Sequence, residues 1–301
     1  MKVHVALFFV SLLYAILFSW AGEIMPAYIS AEGFVWLRIL TAFSLFSLCS
    51  LFITDKPIDW KNDWKRFAVC AFFGTAANMF MFFKGLSMTK PINGAVLMLV
   101  TPLFVAIIEH GIQKKRPSLS MTAGISMGAL GAFLLMWGKG AHFSSQTLEG
   151  DIWVSVNALF YAVYLVLAKR LANKYHAITV NKVMFGMGLL YIAPLGAIPL
   201  LNTTFSAIPG DIWLKIGYIL FFTSFLVYLL NMYGIKHASG SLVGIYIYLQ
   251  PLLATLIAVL LGRDELTPEK AMYAFMIIMG VWMVSGKHNL KMRLRAKKDS
   301  L

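Results

Sequence analysis

A small set of polar side chains interrupts otherwise apolar sequence, and these are the residues able to do chemistry. Tyr246 and Gln250 lie four residues apart, so on a helix they share a face. Arg38 places a positive charge inside a long apolar run. Amides, phenols and a guanidinium recognise small molecules by hydrogen bonding and by pairing with anions. These residue types therefore indicate recognition of a ligand and not covalent catalysis.

Spacing and position add further polar residues to this set. Asn157, Tyr161 and Tyr164 follow an i, i+4, i+7 pattern and so lie on one helix face. Because polar residues are costly in an apolar surrounding, such a stripe should face an interior cavity. The residues expected to bind a ligand are Gln250, Tyr246, Arg38, Asn78, Thr101, Tyr161, Asn157 and Tyr14.

The roles of Arg38 and Tyr246 each have two interpretations. Arg38 can extend to Glu23 or Glu32 in a structural ion pair, or it can bind a carboxylate or phosphate of a ligand. Tyr246 is either a ligand contact or a packing aromatic whose hydroxyl finds a neighbouring partner. The sequence leaves both questions open.

The sequence gives little support for proton coupling and none for enzyme chemistry. Glu109 and His110 are adjacent at the end of an apolar run and form the one plausible proton relay, since no acidic residue falls at the centre of an apolar run. Phosphate-binding loops, HExxH and catalytic triads are missing. Cys49 and Cys70 fit neither a disulfide framework nor a zinc site. We therefore expect no enzyme activity, cofactor or metal.

The elements that carry these residues are membrane helices. The 301 residues are 59% hydrophobic and 13% charged, whereas soluble domains have about 25% charged residues. Ten apolar stretches have the length that crosses a bilayer. They cover residues 4–22, 33–53, 66–86, 91–110, 119–138, 152–171, 178–201, 212–233, 240–261 and 269–286. The predicted fold class is an all-α integral membrane protein in contact with the lipid bilayer.

The distribution of positive charge predicts the orientation. The net charge is +13, and most of the 26 lysines and arginines fall on one side if the loops alternate, including the basic tail 287–301. By the positive-inside rule both termini are cytoplasmic, in a bacterial-type inner membrane. Because topology explains the basic excess, no nucleic-acid partner is expected. A glycine stripe from Gly124 to Gly131 favours packing within a monomer, with a weak homodimer as the alternative.

Two halves of the chain share landmarks at one constant offset. Gly85 aligns with Gly234, Gly131 with Gly280, and Pro102 with Pro251. Each half, 1–138 and 150–286, contains five helices. Since five is odd, the second half enters the membrane from the opposite side, which makes an inverted repeat. Pro102 and Pro251 predict matched helix breaks near the substrate pathway.

With this organisation the sequence resembles the EamA family of the drug/metabolite transporter superfamily. The resemblance covers nearly the whole chain and rests on "FVWLRILTAF", "GLSMTKPINGAVLMLVTPLFVAII" and "GIKHASGSLVGIYIYLQPLLATLIAVLLGRDELTP". It implies a transporter of small metabolites, often exported. Two differences limit what is carried over: the acidic residue of "LGRDELTP" is spaced differently, and Met187 stands where the second half would repeat Arg38.

Together these observations predict a secondary transporter that moves a small-molecule substrate by alternating access. Amino acids or related compounds fit the aromatic, amide-bearing and weakly cationic set of residues, and export follows from the resemblance alone. The alternative from another class is a membrane scaffold without transport activity. A polar cavity between the two halves distinguishes the first hypothesis from the second.

Overall fold

The computed structural model describes residues 1–114, 116–137, 140, 143–262 and 264–298, and their side chains except for Ser19 and those after Ser285. This part of the chain is nearly all helical and has no strand. Ten long helices follow one another: α1 Lys2–Ile24, α2 Ala31–Ser50, α3 Trp60–Leu86, α4 Pro91–Gln113, α5 Leu119–Trp137, α6 Leu148–Lys174, α7 Ala177–Leu201, α8 Gly210–His237, α9 Gly240–Leu260 and α10 Pro268–Lys298.

Helices α1 to α9 are long and apolar enough to cross a bilayer. The tenth predicted span lies within α10, which continues to Lys298. Large apolar side chains such as Leu190, Leu214 and Phe275 are mostly exposed on the outside of the bundle, which is where lipid would lie. The all-α membrane fold class is confirmed. The side chains of the predicted basic tail, and Lys115, Lys139 and Arg263, lie outside the described residues.

Contacts between helix ends define two faces of the bundle. On the face where α1 begins, here the terminal face, Lys174 at the end of α6 pairs with Asp63 at the start of α3. On the opposite face, Lys84 at the end of α3 pairs with Glu32 at the start of α2. Lys215 at the start of α8 pairs there with Glu23 at the end of α1. Successive helices therefore alternate in direction.

Helix packing repeats between the two halves. The most extensive contacts join equivalent helices, α2 with α7 and α5 with α10. Helix α3 packs on α6 and α7, and its counterpart α8 packs on α1 and α2. Each contact thus has a partner under exchange of the halves. This is the packing expected of a two-repeat architecture.

Four helices are interrupted, at positions matched between the halves. Helix α3 contains a π-helical segment, Phe72–Ala76, and α8 contains another, Ile219–Leu226, at the same offset that relates the glycine landmarks. Helix α4 is divided into Pro91–Met98 and Thr101–Gln113. Helix α9 passes through a 3₁₀ turn, Tyr246–Tyr248. Such segments rotate the side chains that follow them, and they recur at functional sites.

Two buried apolar clusters lie near the two faces. One cluster contains Phe67 and Val105 near the terminal face, and the other contains Phe34 and Phe83 near the opposite face. Met98 packs against both clusters. The interruptions of α4 and α9 occur between these clusters, and polar side chains gather there.

The glycine stripe of α5 packs within the chain. A Cβ atom built on Gly124 would lie 2.9 Å from the carbonyl oxygen of Gly280 in α10. One built on Gly128 would lie 2.6 Å from the ring of Tyr248 in α9. Only glycine allows α5 to come so close to the α10 backbone and to the Tyr248 ring. The stripe therefore joins α5 to two helices of the second half.

Candidate functional site

A cavity of about 50 Å³ lies between the two halves. It has room for a few water molecules, and a larger ligand requires its walls to separate. Seven helices contribute to it, including α1 and α3 from the first half and α6, α8 and α9 from the second. The lining residues are Tyr14, Leu17, Phe18, Arg38, Asn78, Met79, Phe82, Phe83, Met98, Asn157, Tyr161, Tyr228, Ile247 and Gln250.

Arg38 is the positive charge of this cavity. It is the eighth residue of α2, roughly 10 Å along a helix with 1.5 Å rise per residue, and is 2% exposed. Its Nε donates to Ser224 Oγ at 2.8 Å and its Nη2 donates to Thr223 Oγ1 at 3.0 Å. The ring of Phe83 lies 4.2 Å from the guanidinium carbon, in cation–π geometry. Hydroxyls and a ring therefore hold the charge.

The structure gives other partners to both glutamates that could have paired with Arg38. Glu23 pairs with Lys215, and Glu32 pairs with Lys84. Neither glutamate contacts Arg38. Among the described residues that line the cavity there is no carboxylate. The guanidinium is therefore buried without a described counter-ion.

The π-helical segment of α8 supplies the hydroxyls that hold Arg38. Both Thr223 and Ser224 donate to the carbonyl oxygen of Ile219, at 2.8 and 3.1 Å, which leaves the oxygen lone pairs free to accept from the guanidinium. Neither residue is among those that the sequence predicts to bind a ligand. The available signal was a Thr-Ser pair inside an apolar helix, since such hydroxyls need partners.

The amide side chains lie beside the charge. Asn157 Nδ2 donates to the backbone carbonyl of Asn78 at 2.6 Å. This contact orients the amide, so that Oδ1 is the remaining acceptor, and Oδ1 is buried without a partner among the described atoms. Asn231 Nδ2 donates to the Tyr161 hydroxyl at 2.9 Å. Asn157, which lines the cavity, therefore keeps an acceptor atom that has no partner among the described atoms.

Aromatic rings form the apolar part of the wall. Phe18 and Phe82 meet edge to face, with ring centroids 5.4 Å apart, and Phe82 meets Phe83 in the same way at 5.1 Å. Tyr228, which sequence analysis also missed, donates from its hydroxyl to the carbonyl of Gly74 in the π-helical segment of α3. The lining therefore combines one cation and several polar groups with a cluster of aromatic rings, and Phe83 belongs to that cluster while contacting Arg38.

A larger cavity adjoins this site on the side of the opposite face. Its volume is about 680 Å³, and it shares Phe18, Ile247 and Gln250 with the central cavity. Its walls include Glu23 at the end of α1 and Thr89 between α3 and α4. Both belong to the opposite face. The larger cavity therefore lies between the central cavity and that face.

The terminal face is closed over the site by contacts at helix ends. The carboxylate of Glu109, at the end of α4, accepts from the backbone N–H groups of Gly240 and Ser241 at the start of α9. Lys169 in α6 donates to the carbonyls of Ile235 and Ala238 at the end of α8. An acid at a helix N-terminus and a base at a C-terminus are both favourable. We call these contacts the terminal latch.

Six of the eight expected binding residues meet at the central cavity, and two lie elsewhere. The Tyr246 hydroxyl lies 2.6 Å from Nδ1 of His4, and its carbonyl accepts from Ser11. Thr101 is fully buried, and its hydroxyl has no partner among the described atoms. The six at the cavity are Tyr14, Arg38, Asn78, Asn157, Tyr161 and Gln250. Ligand binding by any of the eight stays a prediction.

The residues predicted at the helix breaks lie just after the interruptions. Pro102 is the second residue of the second segment of α4, and Pro251 is the third residue after the 3₁₀ turn of α9. Proline is tolerated in a first turn because its missing donor would be unpaired there anyway. The two residues predicted to form a proton relay have separate partners. Glu109 accepts from the start of α9, and His110 Nδ1 lies 2.8 Å from the carbonyl of Ala106 in its own helix.

Metal chemistry has no site in the part of the chain that is described. No group of three histidine, cysteine or acidic side chains comes together there.

Two five-helix halves of opposite orientation enclose a shared polar cavity. This arrangement defines a class of protein, the multi-pass membrane transporter with an internal repeat.

The chain belongs to the EamA-like transporter family, which matches residues 1–137 and 148–286. It is 28% identical over 222 residues to YyaM, an uncharacterized transporter of Bacillus subtilis, covering 70% of this chain and 71% of that one. It is 25% identical over 265 residues to an uncharacterized transporter of Archaeoglobus fulgidus, covering 86% and 90%.

A solved crystal structure shares the fold. It aligns with a TM-score of 0.73 at 19% identity and covers 94% of this chain and 96% of its own. The resemblance found in the sequence is thus confirmed. The protein is a membrane transporter with a small-molecule substrate, and neither the family nor these relatives specify that substrate.

Proposed function

We propose that the protein is a secondary transporter that moves amino acids or related small metabolites by alternating access, in the direction of export. The observation that carries this proposal is the central cavity between the halves, adjoined by a larger cavity towards one face and closed at the other face by the terminal latch. A scaffold without transport activity would have no need of a buried guanidinium and amides around an interior space.

We also propose that the terminal face is cytoplasmic, in a bacterial-type inner membrane. Lysines 56, 61 and 65 follow α2, and Lys169 and Lys174 end α6, on that face. Positive residues concentrate on the cytoplasmic side of membrane proteins. With this orientation the proposed state is outward-facing, and the internal packing of the glycine stripe supports a monomer over the weak homodimer.

The cycle does not depend on an acidic residue in the cavity. Glu109, the acid with the best position for a relay, instead holds the start of α9. Breaking these contacts would free the α8–α9 connection and open the cavity towards the cytoplasm. The interruptions of α4 and α9 provide places where such a movement can bend the helices.

Reconstitution into liposomes tests the proposal. The purified protein is reconstituted into liposomes that contain an unlabelled amino acid, another carboxylate, a nucleobase, a sugar or an amine. Exchange is measured as uptake of the same compound in labelled form. We expect exchange of at least one amino acid or related compound, reduced at least tenfold by Gln250→Ala. Gln146→Ala, which alters an exposed amide that lines neither cavity, serves as the control and should leave exchange unchanged. If no compound exchanges faster than in liposomes without the protein, the proposed transport function is refuted.

A further inference from the structure

The central cavity combines one buried cation with an incomplete set of partners. Two of the five guanidinium N–H groups of Arg38 donate to Thr223 and Ser224. The structure describes no protein acceptor for the other three. Burial of a cation without an anion is unfavourable, and neutral hydroxyls replace only part of its hydration. The three remaining N–H groups therefore favour a ligand with a negatively charged group.

The geometry favours a carboxylate over a larger or more highly charged anion. The guanidinium is planar, and its free edge suits the two parallel hydrogen bonds of a carboxylate. A phosphate dianion would need a second cation, and the described residues of the cavity include none. The Phe83 ring and the two hydroxyls fix the guanidinium plane before a ligand arrives.

The rest of the cavity indicates what the carboxylate is attached to. Phe18 and Phe82 offer an apolar surface for a hydrocarbon or aromatic group. Asn157 Oδ1 and the amide of Gln250 offer hydrogen bonds to an amino group. An ammonium ion without a carboxylate would instead face Arg38 and be repelled.

Building on the proposed transport function, we infer that Arg38 is the substrate's carboxylate receptor. The substrates are then monocarboxylates with an apolar or aromatic part, including amino acids of that kind. Thr223 and Ser224 are positioning residues that aim the guanidinium through the π-helical segment of α8. Nucleobases, sugars and cationic amines are excluded by the same argument.

Matched compounds test this inference in the reconstituted protein. Exchange is measured for L-phenylalanine, its amide, 3-phenylpropanoate and 2-phenylethylamine, which share a ring and differ in charge. Wild-type protein should prefer both carboxylates at least tenfold over the amide and the amine. Arg38→Gln should abolish that preference, and Arg38→Lys, which keeps the charge but not the fork, should retain part of it.

Controls separate binding from folding. Lys182→Gln removes another cation in a membrane helix, which contacts Ser50 and does not line the cavity, and the preference should persist. If Arg38→Gln does not fold, as judged by size-exclusion chromatography, the double variant Thr223→Val/Ser224→Ala decides. It should raise KM for the carboxylates and lower the preference for carboxylates over the amide, whereas Lys182→Gln should change neither.

The outcomes distinguish the two proposals. Three results would overturn the carboxylate receptor while leaving transport intact. The first is exchange of the amide at the same rate as the carboxylates, and the second is exchange of amines, sugars or nucleobases without any carboxylate. The third is an unaltered preference in Arg38→Gln. Absence of protein-dependent exchange for every compound would overturn the transport function, and the inference with it.

Discussion

Replacing Glu109 by glutamine should weaken the terminal latch and shift the transporter towards the state open at the terminal face. The carboxylate accepts from the N–H of Gly240 at 3.2 Å, the N–H of Ser241 at 2.8 Å and the Ser241 hydroxyl. Hydrogen bonds to a charged group contribute about 1.5–3 kcal/mol each, against about 1 kcal/mol for neutral ones.

The magnitude follows from what glutamine keeps and loses. Its amide oxygen can still accept, whereas the negative charge at the start of α9 disappears, and Glu109 is half-buried, so that water compensates in part. We therefore expect a loss of about 2 kcal/mol. That corresponds to a shift of roughly 30-fold in the ratio of the two states, since 1.4 kcal/mol is tenfold.

Cysteine accessibility measures this shift. Val105 is fully buried where α4 meets α9, next to Gly240 and Gly244. In a background with Cys49 and Cys70 replaced by serine, Val105→Cys should react with a membrane-impermeant maleimide applied at the terminal face. Adding Glu109→Gln should raise the labelling rate about 30-fold, the full expected population shift.

An exposed acid on the opposite face provides the control. Glu149→Gln removes a carboxylate whose one partner among the described atoms is the Trp153 ring N–H, at 3.5 Å. Labelling of Val105→Cys should not change in this background. Equal labelling rates with and without Glu109→Gln would refute the latch, because the Glu109 contacts would then stabilise both states equally.

Other variants test the site, the packing and a pH response. Tyr246→Phe should leave the KM for exchange unchanged, while Gln250→Ala raises it at least tenfold; equal effects in liposome exchange would place Tyr246 at the substrate. Gly124→Leu should destabilise the protein by about 1–3 kcal/mol, because its side chain enters the backbone of α10, and a Tm equal to that of wild type would contradict this. The side-chain amide of Asn62, followed by Lys174, holds the pKa of Asp59 below its usual value. The resulting stabilisation is present above the usual carboxyl pKa and is lost as the pH falls through the lowered value, so Asp59→Asn should reduce the fall in Tm between neutral and acidic pH.

The sequence determined the number and order of the helices. A membrane helix satisfies its backbone hydrogen bonds within one apolar segment, so each span is signalled locally. The matched glycines and prolines also indicated the two halves. Six of the eight residues expected at a binding site line the central cavity, since polar residues in apolar helices avoid lipid.

Only the tertiary structure decided what these residues contact. Arg38 had two acids within reach in sequence terms, yet both pair with lysines, and its partners come from the π-helical segment of α8. Sequence periodicity assumes an uninterrupted helix, and a π or 3₁₀ segment changes the direction of every side chain beyond it. For that reason Tyr246 and Gln250, although four residues apart, contact different parts of the protein. The 3₁₀ turn of α9 begins at Tyr246 and ends at Tyr248, two residues before Gln250.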